Sequence, residues 1–141
     1  LLVGEAGVGQ TAIAEGLDPE DANWFLYDDA AAVFVDCRSE MEFLFGGRRV
    51  GAMMIPWNDG PDWEINPHVV AHVKKAASVD RPIVLICRSG NRSVSAGHAL
   101  EEAGFTQVYN VLHGFEGELD ENHRRGTKAG WRFEGLPWEQ C

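Results

Sequence analysis

Cysteine is scarce in this chain and shows no pairing pattern. There are three in 141 residues, none in a C-x-x-C arrangement, so neither a disulfide framework nor a cysteine-built zinc site is indicated. Such usage fits a reducing compartment, and the cytoplasm is the expected location. Positive charge is also in short supply. Twelve Lys and Arg stand against 22 Asp and Glu, a net charge of −10, which argues against nucleic acid and against anionic membranes as partners. No apolar run approaches the length of a membrane span, and residues 1–14 lack the basic start and apolar centre of a signal peptide. The chain begins at Leu1 rather than Met, so its natural start is expected to lie further upstream.

What the sequence does have is an ordinary globular composition, 45% hydrophobic and 24% charged, at a length that suits one domain with one sizeable core. The most informative stretch runs from Pro82 to Gly104. Ile83-Val84-Leu85-Ile86 is a continuous apolar run that reads as a strand buried on both faces, as in a parallel sheet. Val94, Ala96, Gly97, Leu100 and Ala103 then recur at helical spacing, with Gly104 where a C-terminal capping glycine belongs. Between strand and helix lies Cys87-Arg88-Ser89-Gly90-Asn91-Arg92-Ser93.

Such a loop has its own chemistry. The N–H groups at a helix start are unpaired, and successive N–H groups in a turn form an anion-binding concavity. A cysteine facing it, beside Arg88 and Arg92, should have a depressed pKa and act as a nucleophile near neutral pH. Gly90 permits a backbone conformation that a Cβ would obstruct.

At this loop the chain resembles the rhodanese family, whose active-site cysteine carries a persulfide. Asp36-Cys37-Arg38 with Glu42-Phe43, Gly51-Ala52-Met53-Met54-Ile55-Pro56, Gly114-Phe115 and Gly135-Leu136-Pro137-Trp138 are similar to further family motifs, in the family's order. The resemblance spans residues 17–141. The loop is of the C-x4-R form, the sulfurtransferase size, whereas phosphatases and arsenate reductases of this fold use C-x5-R. The expected fold is therefore α/β: a single rhodanese-like domain with a mostly parallel sheet of about five strands flanked by helices. The resemblance implies a sulfurtransferase that moves sulfane sulfur from thiosulfate or a similar small anion to a thiol or protein acceptor. Cys87 would be catalytic, with Arg88, Ser89, Gly90, Asn91, Arg92 and Ser93 binding substrate. No metal or organic cofactor is required. The rival readings are a sulfur carrier or polysulfide-binding module that does not turn over and, further off, a phosphatase or arsenate reductase.

The remaining segments read as follows. Residues 1–16 form a flexible leader in which Gly4-Glu5-Ala6-Gly7-Val8-Gly9-Gln10-Thr11 has P-loop spacing and looks like the nucleotide motif of Clp-type ATPases. Gln10 replaces the lysine that reaches the phosphates, so nucleotide binding is not expected. Asp18 and Pro19 open a helix, and Ser39-x-x-Glu42 is a capping box. Asp36 and Arg38 are expected to pair structurally, and Cys37 to be a core residue, with a resolving thiol as the sharper alternative. Residues 58–66 read as a loop, and Trp57 and Trp63 beside it are expected to cover the core rather than wall a pocket. His68 and His72 have the i, i+4 spacing of zinc ligands, but no third ligand completes a site. Residues 116–130 read as an insertion bearing His123, Arg124, Arg125 and Lys128; such a charge run is usually a solvated loop, with guidance of an anionic donor or contact with an acceptor as the sharper alternative. Trp131, Phe133, Leu136 and Trp138 are expected to pin the tail to the core, and Cys141 to be a bystander.

Overall fold

A computed structural model describes residues 15–140. The P-loop-like stretch and Cys141 therefore lie outside the described residues. In chain order the elements are β1 (Glu15–Leu17), α1 (Pro19–Asp28), β2 (Val33–Asp36), α2 (Glu40–Phe45), β3 (Met53–Met54), β4 (Asn58–Asp59), β5 (Glu64–Ile65), α3 (Val69–Ala76), β6 (Ile83–Ile86), α4 (Asn91–Glu102) and β7 (Val108–Val111). Five strands form one sheet in the order β1-β7-β6-β2-β3, every pairing parallel. Two of the residues assigned to the leader, Glu15 and Gly16, thus belong to an edge strand in register with Tyr109 and Asn110. Three residues are too short for period-2 alternation to show, and their pairing is with a strand more than 90 positions away.

The central strand explains the sheet. All four residues of β6 are buried, because side chains alternate between two covered faces. Val33, Val35, Ile83 and Leu85 point to one face, where Val69, Val73 and Ala77 around α3 and Ala96 and Leu100 of α4 cover them. Phe34, Val84 and Ile86 point to the other, against Ala22 of α1, Phe115 and Trp131. Trp131 is fully buried and its Nε1 donates to the Pro137 carbonyl at 2.8 Å, which holds the tail. Phe133 lies half-exposed, so it does not share that task.

Helix starts differ in how they are built. Pro19 takes the first position of α1, yet Asp18 makes no side-chain cap. The Ser39–Glu42 capping box forms in full: Ser39 Oγ accepts from the Glu42 N–H, and the Glu42 carboxylate accepts from the Ser39 N–H. Residues 58–66, read as loop, contain a small antiparallel hairpin of β4 and β5. Its strands are two residues each and its turn carries Gly60-Pro61, a composition that hides a strand from any pattern search.

Candidate active site

In a parallel sheet the strand C-termini share one edge, and ligands sit beyond it. The residues that follow β6, β2 and β7 at that edge are Cys87, Cys37 and Leu112. Four residues of turn carry the chain from β6 to the first turn of α4, and Gly90 takes φ +110° at the helix start, which a side chain would strain. This bend folds the loop over its own sulfur. The Gly90 N–H donates to Cys87 Sγ at 3.1 Å and the Ser93 N–H at 3.4 Å, and the Ser93 hydroxyl lies 3.2 Å away. Cys87 is 1% exposed, so these groups form the floor of the site rather than its opening.

Behind the floor stands a residue the sequence reading passed over. Asn110, buried on β7, takes a short hydrogen bond from the Ser93 hydroxyl at its Oδ1. A hydroxyl has one proton and serves one acceptor at a time. The Gly90 carbonyl, 3.2 Å from Ser93 Oγ, is a second acceptor within its reach, and the Cys87 sulfur a third. The signal was a polar residue inside an apolar strand, Val108-Tyr109-Asn110-Val111, where a buried amide demands a partner.

The loop is also held from behind. The Phe115 N–H donates to the Cys87 carbonyl at 2.8 Å, and the Glu116 and Gly117 N–H groups donate to the Arg88 carbonyl at 3.0 and 3.1 Å. Gly114, at φ +67°, passes so close that a Cβ there would lie 2.5 Å from the Cys87 oxygen and the Arg88 carbonyl carbon. Residues 116–130 therefore begin as a brace for the loop. Asp120 organises them, accepting from the Asn122 and Arg124 N–H groups and the Thr127 hydroxyl. None of their basic side chains lines the mouth of the site, so the sharper alternative, guidance of an anion, has no structural support.

A buried ion pair supports the neighbouring strand end. Arg38 grips Asp36 with two nitrogens, Nε and Nη2, and its Nη2 also donates to the Gly47 carbonyl at 2.6 Å. Its guanidinium lies 4.4 Å from the Phe115 ring centre, tying β2 to the brace. Cys37 is fully buried beside them, one position beyond the Asp36–Ile86 register pair. Burial first, then the neighbouring Cys87 and Asp36, pushes its thiol well above the ordinary range, so it stays neutral. That is the behaviour of a core residue.

The mouth is a cavity of about 890 Å³ lined by Ser39, Glu40, Met41 and Glu42 of the α2 start, by Asn58, Asp59, Gly60 and Trp63 of the hairpin, and by Arg88 and Arg92. Trp57 packs against the core as expected, but Trp63 is 52% exposed and forms a wall. Arg92 is largely covered, whereas Arg88 is exposed beside it. Arg92 donates to both Glu42 oxygens, at 2.8 and 3.0 Å, and Arg88 Nε lies 3.8 Å from Glu42 Oε2. Partial burial pushes the Glu42 carboxyl up, but hydrogen bonds from Arg92 and the Ser39 backbone, with Arg92's charge, hold it down to about 2. Ser89 is half-buried in the turn, and Asn91 opens α4 with its side chain exposed.

Fold and site together define a class of α/β domains in which a cysteine is cradled between the central parallel strand and the following helix. Within that class the chain belongs to the rhodanese-like domain family, whose model matches residues 20–120. The chain is 37% identical to Rv0390 from M. tuberculosis, whose crystal structure superposes with a TM-score of 0.82 over 92% of this chain and all of that one. It is 35% identical over 78 residues to the thiosulfate sulfurtransferase GlpE of Pseudomonas syringae pv. syringae, covering 49% of this chain and 74% of that protein. An uncharacterized protein of Rickettsia prowazekii is 34% identical over 61 residues, 43% of this chain and 44% of that protein. Among the described residues no helix is long and apolar enough to cross a membrane.

Proposed function

We propose that the protein is a sulfurtransferase that carries sulfane sulfur on Cys87. The observation that carries this reading is the convergence of the Gly90 and Ser93 N–H groups and the Ser93 hydroxyl on one buried sulfur. The two N–H donors are fixed in place by the fold, so they favour charge on whatever sulfur sits there and cost no reorganisation when it forms. With thiosulfate, the Cys87 thiolate attacks the outer sulfur, the donor's S–S bond breaks, and sulfite leaves with the electron pair. Cys87 persulfide remains. A thiophilic acceptor then bonds to the outer sulfur, and the Cys87–S bond breaks to return the thiolate. The likeness to GlpE supports thiosulfate as a donor, and the C-x4-R loop supports sulfur over phosphate or arsenate chemistry.

The test is intact mass after thiosulfate and again after cyanide. Wild type should gain the mass of one sulfur and lose it to cyanide, and Cys87→Ser should gain nothing. Arg92→Ala should retain part of the loading, because the backbone donors remain. If wild type takes up no sulfur from thiosulfate or polysulfide, the reading is wrong. The carrier reading is favoured by one feature: Glu42 already occupies Arg92, which weakens the hold on a small anion. Slow discharge to cyanide after full loading would select it.

A further inference from the structure

The mouth is built for something other than a small anion. Three carboxylates, Glu40, Glu42 and Asp59, line it against two guanidiniums, and one of the three is committed to both arginines. The hairpin adds Asp62 and Glu64 and has no Lys or Arg between Trp57 and Asn66. The cations that precede it in the chain, Arg48 and Arg49, lie over the rings of Phe43 and Phe34, and those that follow, Lys74 and Lys75, stand in the last turn of α3. The whole molecule carries −10, so the field around the opening repels anions and attracts cations. The walls are apolar: Met41 is 65% exposed and Trp63 52%. Trp63 holds φ +58°, a left-handed backbone that a bulky residue adopts only against strain, and with it the indole stands at the opening. A methionine and an exposed tryptophan are the side chains protein interfaces favour. The cavity of about 890 Å³ also has room for a chain segment.

We propose that this mouth docks a basic, cysteine-bearing protein segment, and that the sulfur on Cys87 is handed to the cysteine of that segment. The proposal rests on the persulfide reading given above and names its acceptor. A cysteine flanked by Lys or Arg is readily deprotonated, and the thiolate is the form that attacks. Its sulfur bonds to the outer sulfur of the Cys87 persulfide. The Cys87–S bond breaks, its electron pair stays on Sγ, and the partner leaves as the persulfide. No external oxidant or reductant takes part. Glu40, Asp59 and the hairpin acids meet the flanking cations, while Met41 and Trp63 pack on the segment's apolar stems.

Two peptides of equal length test this, each with a central cysteine, one flanked by lysines and the other by glutamates. Binding is measured calorimetrically with serine in place of the cysteine, which separates docking from sulfur chemistry. At low salt the lysine peptide should bind at least about tenfold more tightly than the glutamate peptide, and the preference should collapse at high salt. Glu40→Lys with Asp59→Lys should remove or invert it, and Trp63→Ala should weaken lysine-peptide binding several-fold. Discharge of sulfur-loaded protein to the cysteine peptides should follow the same order. Equal binding of the two peptides, or a preference the charge reversal leaves intact, overturns the docking proposal even if Cys87 loads sulfur. Failure to load sulfur, with the binding preference present, overturns the persulfide reading and leaves a basic-segment binding module.

Discussion

The floor and the mouth of the site are made of different materials. The floor is mostly backbone: two N–H groups, joined by the one hydroxyl of Ser93, around a buried sulfur, braced from behind by three further N–H groups. The mouth is side chain: carboxylates, a methionine and a tryptophan on a six-residue helix and a two-residue-strand hairpin, facing two guanidiniums from the loop and the start of α4. Backbone donors are fixed by the fold and indifferent to most substitutions, so the chemistry they support is stable against sequence change. Side chains on short elements are replaceable one at a time. On the function proposed above, the difference assigns reaction type to the floor and partner choice to the mouth.

The comparison breaks most sharply at Gly114. Gly114→Ala puts a methyl 2.5 Å from the Cys87 oxygen, so the brace or the loop must move. Because near-ångström misplacement of a reacting group costs on the order of 100-fold in rate, kcat for sulfur loading should fall by about that much with KM little changed. A variant that loads at the wild-type rate would show that the brace is not needed. Next comes Asn110. Asn110→Ala removes the buried acceptor that positions the Ser93 hydroxyl beside the sulfur and should lower the rate of persulfide formation about tenfold, again in kcat, since a buried hydrogen bond lost is worth roughly 1–3 kcal/mol. Asn110→Asp brings a buried carboxylate close to the Cys87 thiolate and should do no better; Asn110→Gln, which keeps a neutral amide, should restore part of the rate. Recovery by Asp as full as by Gln would show that a neutral amide is not needed there.

The smallest effect belongs to the mouth. Glu42→Gln keeps the cap on α2 but frees charge on Arg92 and Arg88, so KM for thiosulfate should fall several-fold while kcat stays near wild type. The same variant has a pH signature. The Glu42 carboxyl lies at about 2 when folded and near its ordinary value when unfolded. The folded state therefore binds fewer protons between those values, and the pair's stabilisation is present above about pH 4.5. It drains away as pH falls toward 2. The stability difference between wild type and Glu42→Gln should be constant from neutrality to about pH 5 and shrink below it, as read by denaturant midpoints. A difference that widens in acid would contradict the assignment.

Most of the floor was legible in the sequence because it is local. Strand, turn glycine, nucleophile and helix start lie within twelve consecutive residues, and each leaves a mark in residue type. The buried Asp36–Arg38 pair was legible for the same reason, being two positions apart. The Ser39–Glu42 box was read correctly as a cap, but the grip of Glu42 on Arg92 spans 50 positions and leaves no periodic trace. Asn110 reaches Ser93 from another strand, and β1 meets β7 across most of the chain. The hairpin escaped because two-residue strands around a glycine-proline turn resemble any polar loop. Trp63 was weighed as core cover because aromatic residues usually serve that end, and only its backbone angle turns it outward.

Glu42 holds two posts at once, the reciprocal cap of α2 and the counter-charge of the loop arginines. A helix of six residues has almost no stability of its own. One oxygen, Glu42 Oε1, accepts both from the Ser39 N–H and from Arg92, so the helix start and the loop arginine meet on a single atom. A substitution that repositions this one turn should therefore be felt at the arginine, far along the chain, as well as in the helix.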